Sequence, residues 1–178
     1  DELIEISSKN KLKFAIGYSQ RFNPKFAYIK KCIDENKIGR PVSALVSRHI
    51  TRGLGKKISS RVKLSPAAME ATHDLDFVLW CMEPAKPVRV YSQSAFGAMQ
   101  EVTGSADSQW ILITMDNGVV LSIGAGWNMP PGYPNYSGTW VEVLGTDGML
   151  VVDDTHRDVI FNSLDNGIQL PMSSMPGE

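Results

Sequence analysis

Two periods of apolar and polar positions run along this chain, and the change from one to the other divides it. Residues 1–9 place Leu3 and Ile6 at helical spacing, which predicts a short helix. Residues 11–17, Lys-Leu-Lys-Phe-Ala-Ile-Gly, predict a strand that ends on glycine. A second helix is predicted from Pro24 to about Asn36, with Phe26, Ile29, Cys32 and Ile33 turned inward. Asn23 stands where a cap belongs, Pro24 suits a first turn, and Gly39 follows as a stop.

From Pro41 the period shortens to two. Residues 42–50 alternate Val42, Ala44 and Val46 against Ser43, Leu45 and Ser47, which predicts a strand. Residues 51–65 read as a polar, basic loop containing Gly53 and Gly55. Ser65-Pro66 then opens a long helix over 67–82. Beyond Pro84 and Pro87, strands are predicted at 88–96, 108–115, 119–127, 139–144, 149–153 and 159–162. Asp116-Asn117-Gly118 and Gly145-Thr146-Asp147-Gly148 supply tight turns, so consecutive strands should pair antiparallel. From Leu170 onward two prolines and no periodicity predict a loop or tail. The expected class is α+β, a large, mostly antiparallel open sheet with helices packed on one face.

Composition narrows the function. No apolar run approaches the roughly 18 residues of a membrane span, and a formal net charge of −1 disfavours nucleic acid as a partner. Cys32 and Cys81 sit in apolar helical segments, where they read as buried packing residues suited to a reducing, cytoplasmic setting. The chain opens on a helix entered partway and reads as a piece of a longer polypeptide.

Candidate chemistry concentrates in the third helix. Glu70, His73, Asp76 and Trp80 share one stripe at three- and four-residue spacing, opposite an apolar stripe of Ala68, Ala71, Leu75, Val78, Leu79 and Met82. An imidazole flanked by two carboxylates suits a general base; the ordinary alternative is a partly buried histidine among solvated acids. A metal site built from His73, Asp74 or Asp76 with His49 or His156 lacks ligand spacing, so no metal is expected, and no Gly-x-Ser-x-Gly elbow supports a serine triad. Between Val42 and Met69 there is no acid, while Arg48, Arg52, Lys56, Lys57, Arg61 and Lys63 all fall within it. That cluster suits phosphate, an acidic sugar or nucleic acid, or is simply a solvated loop. Trp127 and Tyr133 lie in a Pro- and aromatic-rich link between strands that either lines a substrate pocket or packs as a surface loop. There is no Gly-x-Gly-x-x-Gly after a strand, so the chain carries no dinucleotide cradle of its own.

Gly17-Tyr-Ser-Gln-Arg-Phe-Asn-Pro24 followed by Ile38-Gly-Arg-Pro-Val42 resembles the "G-[FY]-x-x-R-[FY]-x-P … I-G-x-P" segment of the Gfo/Idh/MocA oxidoreductases. His73-Asp-Leu-Asp76 with Trp80 resembles that family's "H-D-[IL]-D-x-x-x-W" element, and Gly145-Thr-Asp-Gly148 its "G-T-x-G" hairpin. The resemblance implies an NAD(P)-dependent oxidoreductase acting on a polyol, sugar or related carbonyl compound. It implies that residues 1–17 end an N-terminal dinucleotide-binding domain that holds NAD or NADP and a catalytic lysine. Residues 18–178 would be the C-terminal substrate-binding and oligomerisation domain, similar in fold to that of glyceraldehyde-3-phosphate dehydrogenase and inactive alone. His73 would be the catalytic histidine, with Asp76 and Glu70 contacting substrate hydroxyls and the ring. Gln20 and Arg21 would touch substrate, while Tyr18 and Arg21 would border the cofactor. The intact protein would take a small-molecule substrate and form a homodimer or homotetramer. Met69 and Leu64-Ser-Pro66 depart from the family's aspartate and glycine-rich run. The alternative is a non-catalytic sugar-binding or oligomerisation module of the same fold.

Overall fold

The computed structural model describes residues 2–130, 137–153, 158–163 and 167–172, with side chains as far as Asp153. Five helices and eight strands appear in the order α1 (Glu2–Lys9), α2 (Pro24–Asp34), β1 (Pro41–Thr51), α3 (Arg52–Ser59), α4 (Thr72–Met82), β2 (Pro87–Ala95), α5 (Ala98–Thr103), β3 (Ser108–Met115), β4 (Val120–Met129), β5 (Ser137–Gly145), β6 (Gly148–Asp153), β7 (Asp158–Ser163) and β8 (Gly167–Met172). The strands form one sheet in the order β2-β3-β4-β1-β5-β6-β7-β8. Every described pairing is antiparallel except β1 against β4, where three helices (α3, α4 and α5) and two strands intervene in sequence. The α+β expectation therefore stands, with β1 as the central strand.

Period-two burial builds the core. On β1, Ala44, Val46 and Ile50 are buried; Ala44 aligns with Leu121 of β4 and Val143 of β5, and Val46 with Ile123 and Val141, while Ala125 of β4 stands beside Arg48. Against this face pack Phe26, Ile29 and Cys32 of α2 and Phe77, Val78, Cys81 and Met82 of α4. Phe26 meets Phe77 edge-on, with ring centroids 4.7 Å apart. The two cysteines are buried and unpaired, and burial raises both thiol pKa values, as packing residues should show. Asn23 caps α2 through its side chain, which accepts the Lys25 N–H.

Four local expectations change. Residues 11–17 form no strand, and every one of them is exposed, so their alternation has no sheet to pair with. Residues 52–59 are helical rather than looped: the small Gly55 lets α3 settle on the Trp127 ring, and a Cβ there would stand 2.5 Å from the Trp127 Cβ. An unexpected short helix, α5, follows β2, its start held by the Asp107 carboxylate, which accepts the N–H groups of Gly97, Met99 and Gln100. Finally, β8 extends the sheet through Leu170 and Pro171 to Met172, on an edge where proline is tolerated. Among the described residues, no helix is long and apolar enough to cross a membrane.

Arg48 lies on the buried face of β1, in phase with Val46 and Ile50, and donates two hydrogen bonds of 2.8 and 2.6 Å to Asp74 of α4, a residue with no exposed surface. This pair replaces Arg48's expected place in the basic cluster. Removing one partner strands a buried charge, which typically costs about 3–5 kcal/mol. Arg48→Met should therefore lower the unfolding free energy by about that much in urea titration. Adding Asp74→Leu to it should recover most of the loss, because no charge is then left buried.

Candidate functional site

The helix leading to α4 begins with a π-helical turn, Ala67–Ala71, that runs directly into Thr72–Met82. The buried positions that follow are Ala71, Asp74, Phe77, Val78, Cys81 and Met82. Relative to the expected apolar stripe, the inward face is rotated: Asp74 replaces Leu75, and Ala68 is exposed. The rotation has a cause in the Arg48 pairing, which requires Asp74 to point at β1. It leaves His73 and Asp76 half-buried on the flank of the helix and Trp80 one turn further on.

A short 3-10 turn, Ser19–Phe22, lies against this flank. Arg21 donates two hydrogen bonds to the Asp76 carboxylate, at 2.8 and 2.7 Å. The guanidinium also sits over the Trp80 ring, 5.4 Å from its centroid, and the Asp76 hydrogen bonds hold it firmly charged. The Tyr18 ring meets the His73 imidazole edge-on at 6.2 Å, and its hydroxyl lies 3.5 Å from the Thr72 hydroxyl. Gln20 is half-buried in the same turn. Tyr18, Arg21, His73, Asp76 and Trp80 thus form one surface, while Phe22 beside them is 82% exposed.

Neither acid holds the imidazole. Asp76 is engaged by Arg21, and Glu70 turns to the opposite side, where it accepts a 3.4 Å hydrogen bond from the Trp127 indole. His73 Nδ1 is buried with no partner among the described residues. A buried polar atom left without a partner is expensive and marks a place where something else is meant to act. Trp127 has no exposed surface; it packs with Ile50 and Met99 beneath Leu54, Ile58 and Met69, so its ring is core and not a pocket wall. Tyr133 and His156 lie outside the described residues. Among those described, no three His, Cys, Asp or Glu side chains gather as a metal-ligand set.

Residues 26–151 match the family model of the GFO/IDH/MocA C-terminal domain. The chain belongs to the GFO/IDH/MocA family. No curated protein matches it in sequence. Its fold is shared with an inositol dehydrogenase homolog from Azotobacter vinelandii solved with NADH and myo-inositol (TM-score 0.74, 14% identity, 98% of this chain and 46% of that one). It is shared also with the WlbA dehydrogenase from Bordetella pertussis solved with NADH and UDP-GlcNAcA (TM-score 0.70, 18% identity, 98% and 50%). An oxidoreductase from Agrobacterium radiobacter solved with NAD+, L-tartaric acid and magnesium aligns at a TM-score of 0.79, with 13% identity over 99% of this chain and 50% of that one. The chain spans about half the length of these proteins, and at such identities the likeness is one of fold.

Sequence reasoning missed Arg48 and Asp74 in this GFO/IDH/MocA domain. The signal was present: a cation in phase with Ala44 and Val46 on an apolar strand face requires a buried acid opposite it.

Electrostatics separate Glu70 from the rest of the domain's acids. Burial raises its carboxyl pKa, against smaller opposing effects from the Trp127 hydrogen bond and from Arg48 and His73. A folded pKa above the unfolded one means that the folded protein binds the proton more tightly. Glu70 therefore favours folding most below its ordinary value of 4.5, and that contribution is lost as pH rises through the raised value. Glu70→Gln keeps an acceptor for the indole and removes the ionisation. Relative to wild type, its stability should improve steadily as pH rises from 4.5 to 7, measured by denaturant midpoints; a pH-independent difference would show that the carboxyl is not buried at a cost.

Proposed function

We propose that the intact protein is an NAD- or NADP-dependent oxidoreductase for a polyol, sugar or related carbonyl compound, and that this chain supplies the substrate side of its active site. The observation that supports this reading best is the His73 imidazole, set half-buried beside the Arg21–Asp76 pair with a buried nitrogen that nothing among the described residues satisfies. A family defined by oxidoreductases and a rim of half-buried Tyr18, Gln20 and Arg21 beside the exposed Phe22 agree with it.

The nicotinamide, when bound, would accept or supply the hydride. The chain carries no Gly-x-Gly-x-x-Gly fingerprint, so its own contribution to that group is limited to the rim, where Tyr18 and Arg21 would border it. The remaining work belongs to named side chains. His73 would take the proton of the substrate hydroxyl and return it in the reverse direction. Among the described residues no carboxylate holds its ring, and the same proton transfer run backward serves the reverse direction. Arg21 would hold Asp76 rigid and ionised as an acceptor for substrate hydroxyls, with Gln20 adjacent. Glu70, drawn back against Trp127, would act at most through the helix turn that it anchors.

The exposed apolar residues of α1 and the segment after it, Leu3, Ile4, Ile6, Leu12, Phe14 and Ile16, support assigning residues 1–17 to a preceding dinucleotide-binding domain that would cover them. Alone, residues 18–178 would neither bind the dinucleotide tightly nor turn over. A second reading, a binding or oligomerisation module without chemistry, draws on Met69, which packs against the Trp127 cluster where dehydrogenase members carry a carboxylate.

The two readings part in one experiment on the intact protein. His73→Ala should reduce turnover with a panel of polyols by roughly 10²–10⁴-fold while dinucleotide affinity stays within error. Polyol binding without any dinucleotide reduction in wild type would select the module.

Self-association would use the face of the sheet that bears no helix. Tyr91, Trp110, Leu112, Val120, Trp140 and Leu144 are all exposed there, on β2, β3, β4 and β5. Gly124 lets the Trp110 ring lie flat across β4, since a Cβ at that position would stand 2.6 Å from the ring. A flat apolar face suits an isologous partner. Leu112→Glu should convert the intact protein to a smaller species in sedimentation velocity without lowering its melting cooperativity.

A further inference from the structure

The geometry points to a phosphoryl-binding site between the end of α3, the segment that leads into α4 and the end of α5, a site separate from the His73 surface and independent of the dehydrogenase reading. A cavity of about 250 Å³ opens there, lined by Ser59, Lys63, Leu64, Ser65, Thr103, Gly104 and Ser105. Water occupies roughly 30 Å³ per molecule in the liquid, so the space holds a tetrahedral oxyanion together with part of the molecule that bears it.

The lining is built from hydrogen-bonding groups, and their protons can be accounted for. The Ser59 hydroxyl donates to the Lys56 carbonyl at 3.2 Å, and the Thr103 hydroxyl donates to the Met99 carbonyl at 2.8 Å. Those two are committed. Ser65 only accepts, from the Ala68 N–H, so its own proton is free. Ser105 makes its backbone bond to Thr103 and leaves its hydroxyl without a partner among the described residues. Lys63 forms no ion pair among the described residues either. One lysine and two serines with uncommitted hydroxyl protons therefore line a common space with no carboxylate among its lining residues, a donor set that suits a phosphoryl group and disfavours a cation.

The wider field has the same sign. Arg52, Lys56, Lys57 and Arg61 are all exposed on or just after α3, and no described acid pairs with them. On α5 the one acid is Glu101, two residues before Thr103 and absent from the cavity lining; Asp107 is occupied by three backbone N–H groups. The basic cluster seen in the sequence thus loses Arg48 to the core and keeps five exposed cations over residues 52–63, of which Lys63 lines the cavity. Phosphoryl dianions are favoured over flat single-stranded nucleic acid, because α3 and residues 60–65 offer no aromatic ring for base stacking.

The test is calorimetric titration of the intact protein with inorganic phosphate and, separately, with a hexose monophosphate. Mass-spectrometric footprinting of lysine acetylation would report on the site directly. We expect saturable binding of at least one of the two and selective protection of Lys63. Lys63→Ala should weaken the binding roughly tenfold, the loss of one charge-assisted contact, and Ser105→Ala severalfold. Lys63→Arg should restore most of the affinity, and Lys86→Ala, on a different surface, should leave it unchanged. Tighter binding of the hexose monophosphate would identify the ligand as a phosphorylated metabolite; equal affinities would identify free phosphate. The proposal is overturned if neither anion binds, or if binding persists unchanged in Lys63→Ala and Ser105→Ala. It is overturned equally if only an oligonucleotide binds and Lys57 and Arg61, rather than Lys63, control its affinity.

Discussion

Arg48 and Asp74 form the contact on which the rest of the arrangement turns. Two charge-assisted hydrogen bonds join the central strand of the sheet to the first turn of α4, inside a core that otherwise contains apolar side chains. An apolar interface alone tolerates rotation of a helix by part of a turn, because one hydrophobic contact substitutes for another. A bidentate ion pair does not, since a small rotation breaks both bonds and exposes the cost of two buried charges. Asp74 must point at β1, and this dictates where residues 70, 73 and 76 point. The adjacent His73 is then carried to the flank, Asp76 to the Arg21 guanidinium, and Glu70 back toward Trp127.

The helix therefore presents two unlike sets of acids. Asp76 is paired with Arg21 and kept in contact with the Ser19–Phe22 turn. Glu70 is drawn into a half-buried position where burial opposes its ionisation. The spacing pattern treats the two as equivalent flanking carboxylates, and nothing in the intervals three and four distinguishes them. What separates them is the π-helical turn at Ala67–Ala71, which changes the phase between Glu70 and the residues that follow, together with an indole on β4 that can be met only once the sheet is assembled.

Much of the fold was legible because it is written in local signals. Seven strands, three helices and the Asn23 cap follow from alternation, prolines and turn residues, each acting over fewer than about ten positions. The failures share a physical origin in partners that are distant in sequence. Residues 11–17 alternate like a strand but have no neighbour to pair with among the described residues. Residues 52–59 contain two glycines that argue for a loop, yet Gly55 is the residue that lets a helix approach Trp127, some seventy positions away. β8 exists as the neighbour of β7 in spite of its proline. Arg48 is the sharpest case: read along the chain it opens a basic run, whereas read across the strand it occupies an apolar phase, and only the second reading places it.

The sheet has two faces with different physical demands, and glycine placement on β4 serves both. On the helix-covered face, β4 presents Leu121, Ile123, Ala125 and Trp127, all buried. On the opposite face, the same strand presents Ser122, Gly124 and Gly126, and the rings of Trp110 and His49 lie against the two glycines. A side chain at either glycine would lift these rings off the strand and roughen the surface. His49, whose pKa burial lowers, is accordingly held neutral in a setting that a charge would disrupt, with Asn128 3.0 Å from its Nδ1. A strand that only had to close the core would gain from larger residues at positions 124 and 126, since glycine in a strand interior forfeits packing and conformational entropy. Flatness on the uncovered face is the property those two positions preserve, and it is a property that matters to a surface meeting another surface rather than to one meeting water.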